Sequence, residues 1–187
     1  SDVVPRLSGT YNLTGGTIEL NGVTDQKLRG ANSPNTPSYY NLKMSGNNTV
    51  TINNTPIIVS NNLYITGSTI FNSENNGVTG DAGLTMDGGK WSISKITNAQ
   101  PELKGISTTY SLTDGTVEFY GTGATDQQQI RGNFRPASPL KINYKNIEIN
   151  AAAANYSTTI ANAGNVDLNS SFTLSGTMNV NSPAVLR

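Results

Sequence analysis

The chain has 187 residues, 35% of them hydrophobic, with 12 basic and 12 acidic side chains and neither cysteine nor histidine. Balanced, scattered charge excludes the concentrated cationic face of a nucleic-acid binder, and the missing residue types exclude disulfides, thiolate or imidazole metal sites, Cys–His pairs and Ser-His-Asp triads. No apolar stretch is long enough to span a membrane and no basic amphipathic helix is present, so no direct membrane insertion is expected.

In chain order, Thr17-Ile18-Glu19-Leu20 is the first clear element: its alternation predicts a strand with Ile18 and Leu20 on one side and Thr17 and Glu19 on the other. Leu42-Lys43-Met44, Thr49-Val50-Thr51-Ile52, Leu63-Tyr64-Ile65 and Leu84-Thr85-Met86 follow the same rule. So do Trp91-Ser92-Ile93, Thr116-Val117-Glu118-Phe119, Ile147-Glu148-Ile149, Val166-Asp167-Leu168 and Phe172-Thr173-Leu174. Between them fall Gly and Asn, which suit corners because they tolerate positive φ and bond the local backbone. Nowhere does a 3.6-residue stripe of helical length occur. The run Ala151 to Ala154 is too short to nucleate a helix and reads as a close-packed turn or strand.

Two periods organise these strands. Leu42, Leu63 and Leu84 lie 21 residues apart, and the count continues by 28 to Leu112, 35 to Ile147 and 19 to Val166. The short steps suit single turns of a β-solenoid, and the long ones suit turns with a corner insertion. Over this runs a longer repeat. Thr10-Tyr11-Asn12-Leu13-Thr14-Gly15-Gly16-Thr17-Ile18-Glu19-Leu20 returns 99 residues later as Thr109-Tyr110-Ser111-Leu112-Thr113-Asp114-Gly115-Thr116-Val117-Glu118-Phe119. The match continues from Thr24-Asp25-Gln26 to Thr125-Asp126-Gln127, and from Leu28-Arg29-Gly30 to Ile130-Arg131-Gly132. We therefore expect an all-β chain, a right-handed parallel β-helix forming one continuous segment over residues 1–187, with internal repeats at about 10–108 and 109–187. The alternative is tandem β-sandwich domains joined at Asn98 to Gly105.

Gly16-Thr17-Ile18-Glu19-Leu20-Asn21-Gly22 and Gly115-Thr116-Val117-Glu118-Phe119-Tyr120-Gly121, each followed by a Gln-containing turn and Leu/Ile-Arg-Gly, resemble the repeats of very large secreted surface proteins of Bacteroidota. Tyr40-Asn41-Leu42, Tyr144-Lys145-Asn146-Ile147, Gly164 to Leu168 and Ser175 to Val180 extend the resemblance over most of the chain. It implies a right-handed β-helix, an extracellular or outer-surface location, export by the type IX secretion system, and a role as adhesin stalk or adhesive surface. Neither a signal peptide nor a sorting domain is visible, as expected of an internal segment.

On this reading the chain is not an enzyme and needs no cofactor. Glu19 and Glu118 occupy matching repeat positions, but carboxylates several coils apart do not flank one glycosidic bond. Asp25 and Asp126 read as caps on local backbone amides, and Asp81 and Asp87 offer only two oxygen ligands toward calcium. Trp91 reads as packed. Carbohydrate is the candidate ligand: Tyr39, Tyr40 and Tyr144 are the candidate stacking rings, with the competing reading that they seal the core. A polysaccharide-lyase-like β-helix working without histidine is the alternative function. End-to-end association with other adhesin segments through the solenoid ends is the further partner expectation.

Overall fold

The computed structural model describes residues 13–29, 36–53, 56–95, 99–100, 102–103, 110–121, 127–130, 142–151, 157–160, 173–182 and 184–186. Within them no residue is helical, and the strand pairings are parallel. A sandwich is built from antiparallel sheets, so the tandem-sandwich alternative is set aside and the chain is a β-solenoid. The predicted strand over Val166 to Leu168 and the alanines after Ala151 lie outside the described residues.

Three stacks of strands form its faces. On face A, β1 (Thr17–Leu20), the end of β3 (Ser38–Met44), the end of β5 (Ile57–Ile65), and the starts of β8 (Gly83–Ile93) and β11 (Tyr110–Gly121) follow one another. On face B the order is β2 (Gln26–Arg29), β4 (Thr49–Asn53), β6 (Ile70–Glu74), the ends of β8 and β11, then β14 (Asn146–Ala151) and β17 (Met178–Val180). Face C joins the starts of β3 and β5 to β7 (Val78–Gly80) and β10 (Glu102–Leu103). A second run there links β9 (Ala99–Gln100), β12 (Gln127–Ile130), β15 (Ser157–Ile160) and β18 (Val185–Leu186). A two-stranded sheet of β13 (Asn143–Tyr144) and β16 (Thr173–Leu174) precedes β14 and β17.

Alternation supplies the core. Leu20, Met44, Ile65, Met86 and Leu112 share one register row on face A and are all buried. Val50, Phe71, Trp91, Val117 and Ile147 form the matching row on face B, also buried. In a parallel stack each coil places its apolar residue directly over the last, so a chain of modest hydrophobicity still builds a continuous core. Trp91 is packed, as expected: its ring stacks on Phe71 at 5.9 Å between centroids, and its Nε1–H donates to Ser73 Oγ at 3.0 Å.

The corner between faces A and B is lined by glycine. A Cβ on Gly88 would stand 2.6 Å from Gly67 O, and one on Gly115 would stand 2.5 Å from Gly88 O. Each glycine therefore packs against the backbone of the coil beneath, where nothing yields. Asparagine side chains tie other levels together: Asn41 Nδ2 donates to Gly16 O at 3.1 Å, and Asn146 Nδ2 to Gly115 O at 2.9 Å. Asp25 caps no local amide in this bond but that of Thr49, one coil away, which donates to Asp25 Oδ1 at 3.0 Å.

The 99-residue repeat does not return to its own face. Ile18 stacks on Leu42, Leu63, Leu84 and then Tyr110 along face A, whereas its repeat counterpart Val117 sits on face B beside Trp91. Leu28 on face B corresponds likewise to Ile130 on face C. One repeat is thus four coils plus one face. The expected 35-residue step from Leu112 to Ile147 crosses from face A to face B for the same reason, and Ile147 stacks on Val117 instead. At the suggested joint, β10 pairs with the earlier β7 and β9 with the later β12, so strand pairing reaches across it in both directions.

Candidate functional site

Side chains of opposite parity to the core make the outer faces. On face A the outward row is Glu19, Lys43, Tyr64, Thr85 and Ser111. Lys43 Nζ lies 3.0 Å from Glu19 Oε1, and Ser45 Oγ donates to the same oxygen at 2.6 Å. The serine hydroxyl first, and the lysine after it, hold the Glu19 carboxyl below the usual carboxylate range. A depression of about 610 Å³ beside this pair is lined by Tyr64, Thr66, Thr85 and Asp87.

Face B carries the row Asn72, Ser92, Glu118 and Glu148 in direct register. Two residues further along the first three strands stand Glu74, Ser94 and Tyr120. Together with Asn75 these line a second depression, of about 540 Å³. Its concavity has a simple origin: two serines occupy the middle strand, while longer side chains rise from the strands on either side. Glu74 is the one non-glycine residue at positive φ among those described, at 50°, and it lies at a break in the β6–β8 register. Asn72 Oδ1 accepts the Glu74 amide hydrogen at 3.0 Å and so stabilises the kink.

Glu118 and Glu148 face each other on neighbouring strands, an arrangement that like charge disfavours. Lys90 relieves it, with Nζ 2.6 Å from Glu148 Oε2 and 3.6 Å from Glu118 Oε1. Its hydrogen bond to Glu148 is the main influence holding that carboxyl below the ordinary range. Burial opposes the charge on Lys90, but the bond to Glu148 and the fields of both carboxylates outweigh it and raise its pKa. A depressed carboxylate stabilises the fold above its unfolded pKa and loses that as pH falls through the folded value; a raised lysine stabilises below its unfolded pKa and loses that as pH rises through the folded one. The cluster's contribution is therefore full between about pH 5 and pH 10. Lys90→Met is expected to lower stability by about 1 kcal/mol near neutrality, with the gap to the parent protein closing below about pH 4. Urea midpoints taken across pH check this, and parallel profiles for the two proteins would refute it.

The candidate stacking tyrosines divide. Tyr39 and Tyr144 are fully buried, so neither can offer a ring face to a sugar, and their candidacy is withdrawn. Tyr40 is half-buried on the outside of β3. The outward aromatics beside the two depressions are Tyr64 and Tyr120 instead. Parity could have found them, since Tyr64 lies between the apolar pair Leu63 and Ile65, and Tyr120 follows Phe119. Glu74 carried no such signal, because a register break is not written in the alternation.

The paired-carboxylate idea meets the same geometry. Glu19 is on face A beside Lys43, and Glu118 is on face B beside Lys90, which it shares with Glu148. Asp81 lies at the bend before β8, whereas Asp87 lies within that strand. Among the described residues no group of three or more acidic side chains gathers to hold a metal, and no described helix is long and apolar enough to cross a membrane. No protein-family model matches this chain, and neither a curated protein nor a solved structure matches it.

Proposed function

We propose that this chain is a non-catalytic solenoid segment of a large bacterial surface protein, serving as stalk and adhesive surface outside the cell. The observation that supports this most is the coil-to-coil bonding of the backbone along each face, which makes a stiff spacer whose outward rows are largely polar and carry lysine–carboxylate pairs. The surface-protein resemblance of the Gly-Thr-Ile-Glu-Leu and Gly-Thr-Val-Glu-Phe units supports the location. Apolar rows also run to the outermost described strands: Ile18 is 36% exposed where its register partner Leu42 is 0%, and Val180 is 42% exposed over Ile149 at 0%. Such end faces suit stacking against further coils or another such segment.

Antibodies raised against the chain test the location on intact, unpermeabilised cells of the source organism. Labelling of intact cells is expected. Labelling that needs permeabilisation would overturn the proposal.

A further inference from the structure

We propose that the depression on face B is a saccharide-binding site that takes uncharged pyranose chains, with Tyr120 as the stacking ring and Glu74 as the residue that fixes orientation. The inference deepens the adhesive reading and rests on it. Three independent features of one place carry it. The first is composition: Asn72, Asn75, Ser92, Ser94, Glu74 and Glu118 offer amides, hydroxyls and carboxylates beside a single aromatic ring. Sugars present hydroxyls that donate to carboxylates, strongly because the acceptor is charged, and an apolar C–H face that covers an aromatic ring.

The second feature is spacing. Within an outward row of a parallel stack, successive side chains stand about 4.8 Å apart along the axis, close to the length of one pyranose unit. Asn72, Ser92 and Glu118 follow one another on three adjacent strands, Ser94 and Tyr120 stand two residues further along theirs, and the register break sets Glu74 opposite Ile93. A chain lying along the axis therefore meets a polar side chain, amide, hydroxyl or carboxylate, at each successive ring. At about 540 Å³ the depression falls within the ordinary size of ligand sites.

The third is strain. A glutamate at φ 50° is held where glycine would rest without cost, at a register break that turns its strand beside the groove. Strained residues of this kind gather where a side chain has to be aimed. Sign of charge then selects among glycans: Lys90 is shared by Glu118 and Glu148, so the groove bears carboxylates in excess and repels uronate or sulfated polymers.

Affinity electrophoresis of the purified chain through gels containing mannan, a β-glucan, galactan or polygalacturonate tests this. Retardation by at least one neutral polymer and none by polygalacturonate is expected. Tyr120→Ala and Ser94→Gln, the second filling the floor, should each weaken that retardation about tenfold, while Tyr64→Ala on face A leaves it unchanged. Glu74→Gly gives the reading that a structural role alone would not: about tenfold weaker binding together with a melting temperature equal to or above the parent's. Retention by polygalacturonate, loss of binding through Tyr64→Ala, full binding by Tyr120→Ala, or no retention by any neutral polymer would overturn the site. A chain that labels intact cells yet binds none of these polymers would leave the stalk reading standing and remove only the site.

Discussion

Alanine at position 115 is expected to cost about 3 kcal/mol of folding stability. Like Gly80 and Gly89, Gly115 combines two demands, a positive φ and a close backbone approach. Its φ is +89°, and a Cβ would lie 2.5 Å from Gly88 O, 2.9 Å from Gly88 C and 2.9 Å from Gly89 O. All three atoms are backbone of the adjacent coil and cannot rotate away. Three companions separate the causes. Gly16 has φ +77° with open space around it, so Gly16→Ala should cost about 1 kcal/mol from conformation alone. Gly88 has the close approach without the positive φ, so Gly88→Ala should cost about 1–3 kcal/mol. Gly15 has neither, and Gly15→Ala should stay within about 0.5 kcal/mol. Chemical denaturation of the four variants checks the order. Equal losses at Gly15 and Gly115 would mean that the coils do not approach closely at this corner.

Removal of the Trp91 side chain is the second large effect, expected at about 3–5 kcal/mol for Trp91→Ala. The ring occupies the middle of the face B row, fully buried, with Phe71 and Val117 as register neighbours. Its polar edge is satisfied through a relay: the indole N–H donates to Ser73 Oγ, and Ser73 Oγ donates to Ser92 O at 3.3 Å. Trp91→Phe keeps most of the packing and should cost less than Trp91→Ala. Ser73→Ala leaves the indole N–H without that acceptor in the core, for about 1–3 kcal/mol. Because the chain has a single tryptophan, its fluorescence follows unfolding of Ser73→Ala directly. A neutral Ser73→Ala would show that the relay contributes nothing.

What the sequence made legible was the strand pattern and its shortest period. Leu42, Leu63 and Leu84, spaced by 21, are register partners in the fold. What stayed hidden was which face a strand occupies, since Leu112 and Ile147 look alike in sequence although one ends on face A and the other on face B. Irregular register hid the tyrosines. In Tyr39-Tyr40-Asn41-Leu42 the ladder slips between Tyr39 and Asn41, so Tyr39 and Leu42 both turn inward although strict alternation would oppose them. Tyr144-Lys145-Asn146-Ile147 repeats the arrangement, with Tyr144 and Ile147 both buried. The groove escaped for a related reason: its shape depends on serines lying level with each other on one strand between larger residues on two others, an adjacency that only stacking creates.

The offset between repeat and coil has a consequence for any longer protein assembled from such units. A duplication that advanced by whole coils would set every copy of a surface motif in one line, all looking the same way. Here each copy is carried roughly 20 Å along the axis and is also turned to the next side, so successive copies look outward in different directions. Three units would sweep a motif right round the shaft. A filament built this way meets a target whichever way it happens to lie, and the interior tolerates the change of side because all three sides obey the same rule of alternation.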